Sequence, residues 1–139
     1  MIAPSSLCRM RPSARLLLCV ICFGAAGVAC GGHSAKATTS EVTAVEEAVR
    51  SYSSAFLRGD GDAAFAMLSA RCQTVLPKAQ LTAAARGGAA LYGRARIVSI
   101  QPTLAGNRAT VTYRFDQPAI DQTNQPWARE GGAWRYDSC

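Results

Sequence analysis

The sequence predicts an α+β domain in which three helices precede a run of antiparallel strands. Three observations predict it. From Ser40 to Gly93 apolar residues recur at spacings of three and four, the period of a helix with one buried face. From Ile97 onward the period falls to two. Finally, Gly131-Gly132 stands between two aromatic runs, where a tight hairpin needs positive φ.

The first helix carries Val42, Val45, Val49, Tyr52 and Phe56 on one stripe, with Glu46, Glu47 and Arg50 facing away. Thr38 with Glu41, or Thr43 with Glu46, fits a capping box. "RGDGD" (58–62) ends this helix. Asp60 or Asp62 then caps a second helix through "AAFAMLSARC", which presents Phe65, Leu68 and Cys72 on one side. Pro77 suits the first turn of a third segment, "PKAQLTAAARGGAALYG". Gly87 and Gly88 weaken its middle, so a break or an early end is expected there.

Among the strands, "ARIVSIQPTL" contains Pro102, which assigns it to an edge or an irregular end. "AGN" (105–107) turns the chain. "RATVTYRFD" then alternates Ala109, Val111, Tyr113 and Phe115 against Thr110, Thr112 and Arg114. "QPAIDQTNQ" reads as looser sequence. "PWARE" and "AWRYD" pair across the two glycines, so that Arg129 opposes Trp134 and Trp127 opposes Tyr136. The aromatic trio forms a core wall in this reading, with Arg129 in cation–π reach.

Upstream of the domain the chain has the marks of export. Arg9, Arg11 and Arg15 precede an uncharged run from Leu16 to Ala29, shorter than the roughly 20 residues a membrane span needs. Met10 is an alternative start. "GVAC" (27–30) resembles a bacterial lipobox, in which Cys30 is acylated and the chain is cut before it. Gly27 departs from the usual aliphatic at that place, and "GVA" also fits an ordinary signal peptidase site, which would release the protein instead. The expected organisation is a signal peptide over 1–29, a flexible tether over 30–39 and a domain over 40–139. The tether's reach is roughly 15–20 Å. The expected location is the cell membrane, lipid-anchored on its extracytoplasmic face.

Cleavage removes Cys8, Cys19 and Cys22, and acylation uses Cys30. Cys72 and Cys139 remain, and an oxidising compartment invites a disulfide between them. Residues 30–139 carry twelve Lys or Arg against nine Asp or Glu, a net of +3 without clustering. That excludes the basic stripe that nucleic-acid binding requires.

The order of three helices and then strands, with "FLRGDGDAAFAMLS" and the closing "WAREGGAWRYD", resembles the nuclear transport factor 2-like superfamily over about 40–139. The resemblance implies a curved antiparallel sheet wrapped around the three N-terminal helices as a cone. A cystatin-like arrangement with one helix is the nearest competitor. "SARC" with a terminal cysteine is similar to a group of actinobacterial exported lipoproteins in that superfamily. Dimers there leave room for a homodimer through the sheet, and the sequence selects no oligomeric state.

That superfamily holds dehydratases, isomerases and cyclases beside members with no activity, so the side chains must decide. His33, the only histidine, lies in the tether, which removes histidine acid–base chemistry and His/Cys metal sites from the domain. Glu41, Glu46 and Glu47 lie off the apolar stripe, and Asp116, Glu130 and Asp137 fall on the outer phase of their strands. Asp121 is the one acid kept as an enzymatic candidate; no catalytic set, cofactor or metal is expected. Tyr52, Trp127, Trp134 and Tyr136 are the candidates for lining a cavity. The expected function is non-catalytic binding or contact with a protein partner in the cell envelope. The alternatives are a small-molecule or lipid carrier, which needs an open apolar cavity, and a dehydratase- or isomerase-like enzyme.

Overall fold

The computed structural model describes residues 38–139; the signal region, Cys30, His33 and most of the tether lie outside them. Helix α1 (Thr39–Leu57) starts at Thr38, whose hydroxyl accepts from the Glu41 amide at 3.3 Å. The Glu41 carboxylate does not return to the cap but accepts from Arg129 at 2.8 Å, so only half of a capping box forms. The expected stripe faces inward, with Val45, Val49 and Tyr52 buried and Val42 and Phe56 half-buried. Gly59 turns the chain at φ +75°.

The expected second helix is in fact two. Helix α2 (Gly61–Ala66), capped by Asp60, stops before Met67, and α3 (Ala70–Val75) restarts after Ser69. The sheet is the cause. The Tyr136 amide donates to the Met67 carbonyl at 3.0 Å, and the Ser69 amide donates to the Tyr136 carbonyl at 2.9 Å. Continuing the helix through 67–69 would strip these partners from the last strand. Four helices therefore stand among the described residues where three were expected.

Helix α4 (Lys78–Tyr92) runs unbroken through Gly87 and Gly88, against the expected break. A Cβ on Gly88 would lie 2.8 Å from the Phe56 ring, so the bare backbone is what lets α4 lie close to α1. Packing here outweighs the helix cost of about 1 kcal/mol per glycine.

Strands β1 (Ile97–Ala105), β2 (Arg108–Phe115), β3 (Gln122–Glu130) and β4 (Ala133–Tyr136) form one antiparallel sheet in that order. Pro102 lies within β1, an edge strand, as its missing N–H requires. The stretch expected to be loose instead holds a short 3-10 turn, Pro118–Ile120, and the first residues of β3. A bulge hid this strand: Val111 pairs with Gln125 but Tyr113 with Gln122, and Asn124 takes φ +52°. One extra residue shifts the phase and erases the period-two signal. A second register shift, between Ile97 and Ser99, lies opposite Phe115 and Arg114 at the same end of the sheet.

The hairpin register is as expected, with Trp127 opposite Tyr136 and Arg129 opposite Trp134, and with Gly131 and Gly132 at φ +56° and +83°. Arg129 pairs with Glu41 and not with an indole face: the helix carboxylate offers a full charge where a ring offers a quadrupole. The core joins Val45, Val49 and Tyr52 of α1 to the inward residues of β2 and to Trp127 and Trp134. Full burial of each large apolar side chain contributes about 1.5–3 kcal/mol. Cys72 and Cys139 form a disulfide with Cα atoms 5.6 Å apart, spanning 67 positions. The domain is thus α+β, with helices and sheet sharing one core.

Candidate functional site

Between the helices and the sheet lies a cavity of about 330 Å³. Helix α1 supplies Tyr52, Ser53, Phe56 and Leu57, and α4 supplies Leu81, Gly88 and Tyr92. From the sheet side come Tyr113 and Phe115 of β2, Gln122 of β3 and Tyr136 of β4. No charged side chain borders it. The volume falls at the small end of the roughly 300–1,000 Å³ typical of ligand pockets.

Aromatic packing shapes the wall. Tyr52 stacks on Tyr136 with centroids 4.4 Å apart, and Trp127 meets Tyr136 edge-on at 5.4 Å and Tyr52 at 6.1 Å. Tyr52 and Tyr136 border the cavity; Trp127 and Trp134 are buried in the core and are not among its lining residues. The Tyr136 hydroxyl donates to Gln125 at 2.8 Å. Burial pushes the Tyr52 and Tyr113 phenols well above their ordinary value, with the neighbouring tyrosines adding to it. Burial likewise raises Tyr136. All three are neutral near pH 7 and act as hydrogen-bonding groups, not as bases.

No acid borders the cavity, and several are engaged elsewhere. Asp121 accepts from the Phe115 amide at 2.8 Å and from Arg114 at 2.9 Å, tying the 3-10 turn to β2. Glu130 accepts from the Ala70 amide at 2.9 Å. Asp137, expected on the outer face, is buried. It lies just past the end of β4, where strand alternation no longer governs its side chain, and it accepts from Ser69 at 2.5 Å and from Arg71 and Arg108 at 3.1 and 3.0 Å. Among the described residues no group of His, Cys, Asp or Glu is placed to hold a metal. No helix among them is long and apolar enough to cross a membrane.

Most lining residues were not anticipated from the sequence, Tyr113, Ser53 and Gln122 among them. Tyr113 stands on the inward phase of β2, so the signal was there. Ser53 lies four residues after Val49, a polar residue on the apolar stripe, which is a readable anomaly. Gln122 falls before the bulge, and nothing local announces it. No family model, curated protein or solved structure matches the chain.

Proposed function

We propose that this domain binds a small, largely apolar molecule in the cavity between helices and sheet, without transforming it. The carrying observation is a lining of aromatic and aliphatic side chains free of charge, in which the polar groups are neutral. A binding site needs that composition; acid–base catalysis needs a group able to take a proton, and no carboxylate borders the cavity. Contact with a protein partner in the cell envelope is the other reading. The large apolar side chains most exposed to solvent are Val75, Leu91 and Val98, carried by three different elements, which offers that reading less.

The domain is read as a nuclear transport factor 2-like cone, which the helices-then-meander order and the paired bulges at one sheet end support. The protein is read as a lipoprotein tethered through Cys30 outside the cytoplasmic membrane. The "GVAC" sequence supports that, and so does the Cys72–Cys139 disulfide, which belongs to an oxidising compartment.

Native mass spectrometry of the full chain, released gently from its producing cells, tests the ligand. A retained small molecule is expected, together with saturable binding of a neutral fluorescent naphthylamine that a Ser53→Phe substitution abolishes. An empty protein that takes up no apolar probe overturns the reading.

A further inference from the structure

The geometry points to an anionic amphiphile as the ligand: its chain in the tyrosine-lined cavity, its head group on Arg50, Arg58 and Arg96. This rests on the reading of that cavity as a ligand site. A second cavity, about 310 Å³, adjoins the first, and Ser53, Leu57 and Phe115 border both. Its character is opposite. Arg50 of α1, Arg58 just past its end and Arg96 before β1 border it, and no acid does.

Those three arginines are free of the ion pairs that occupy others. Arg71 and Arg108 pair with Asp137, Arg114 with Asp121 and Arg129 with Glu41, whereas Arg50, Arg58 and Arg96 have no carboxylate partner among the described residues. Arg58 donates to Ser54. Asp116 accepts from the Arg96 backbone amide, not from its side chain. Three unpaired guanidinium groups around one concavity attract an anion, and a carboxylate or phosphate matches their forked donors.

The shared lining supplies the second, independent observation. Ser53 is 6% exposed, and the polar neighbour of its hydroxyl is the Tyr113 hydroxyl. A serine hydroxyl that meets one neighbour keeps further hydrogen-bonding capacity for a ligand. It stands where an apolar chain would meet its polar end. A methylene fills about the volume of a liquid water, roughly 30 Å³, so the first cavity holds a chain of about ten carbons.

The probes are therefore decanoate, decyl phosphate and 1-decanol, added to the full chain in phosphatidylcholine vesicles. Binding is read from tryptophan fluorescence, with uptake by the vesicles common to every protein form. Decanoate or decyl phosphate should bind at least about tenfold more tightly than decanol, and R50Q/R96Q should erase that preference while keeping decanol binding. R86Q/R135Q removes the same charge away from both cavities and should keep the preference. The tighter of the two anions distinguishes a carboxylate head from a phosphate head. Equal binding of decanol and both anions overturns the head-group assignment and leaves the apolar cavity standing. An equal loss in both double variants also overturns it, since net charge alone would then explain the preference. Failure of all three probes to bind overturns the cavity reading and this inference together.

Discussion

The Ser69 hydroxyl donates to the Asp137 carboxylate at 2.5 Å across 68 positions, and both side chains are buried. The same hydroxyl accepts from the Cys72 amide at 3.1 Å, so one serine caps α3 and fastens the chain end to it. Arg71 and Arg108 close over the carboxylate from the solvent side. The disulfide half-cystines are thus brought together by a polar latch on residues one to three positions away from them.

The latch predicts a graded mutational series. Asp137→Asn keeps the shape and some hydrogen bonds and should cost about 1–2 kcal/mol; Asp137→Ala should cost about 2–4. The arginine contribution is discounted, because both guanidinium groups are more than half exposed. Ser69→Ala loses the cap and one donor, about 1–2 kcal/mol. A double-mutant cycle in urea should return a coupling above about 0.5 kcal/mol; additive losses would show that the two residues act separately.

Reduction of Cys72–Cys139 should lower stability by about 4 kcal/mol, the chain-entropy value for a loop of this size. The Ser69–Asp137 latch should keep the reduced protein native in the absence of denaturant. Unfolding curves with and without reductant, compared with those of C72S/C139S, check this. Equal midpoints for the oxidised and reduced forms would remove the staple from the account.

Two glycines should respond in opposite senses. A Cβ on Gly61 would lie 2.5 Å from the Thr82 Cα, a backbone atom that cannot swing aside, so Gly61→Ala should destabilise by about 1–3 kcal/mol. A Cβ on Gly87 meets nothing within 4 Å and lies inside α4, so Gly87→Ala should stabilise by about 0.5–1 kcal/mol. Thermal unfolding of the two variants reads both signs at once.

Alkaline pH should unfold the protein through Tyr52, Tyr113 and Tyr136. Their folded values are raised, so above about pH 10 the unfolded state releases protons that the native state holds. Stability from these groups is complete below pH 10 and falls as pH rises, by up to about 1.4 kcal/mol per pH unit for each. Phenolate absorbance should rise together with loss of structure, and Tyr113→Phe should flatten the slope. Phenolate appearing in a fully native protein would contradict the buried placement.

Local chemistry alone was enough for much of this chain. The alternation of Ala109, Val111, Tyr113 and Phe115 set the inward face of β2, and Gly131-Gly132 set the register that puts Trp127 opposite Tyr136. The valine stripe set the buried face of α1, and the count of cysteines left by the expected cleavage and acylation paired Cys72 with Cys139. Each of these depends on neighbours within a turn or a strand, or on simple elimination.

Only the tertiary structure decided the rest. The break at Met67–Ser69 answers a backbone demand from Tyr136, and the unbroken α4 depends on Phe56 meeting Gly88. Asp137 is buried by Ser69 and arginines distant in sequence, and the cavity beside Tyr52 exists because facing apolar surfaces do not fill the space between them. Periodicity tells which side of an element is apolar; how completely two such sides meet is a property of their distance, and no single stretch of chain encodes it.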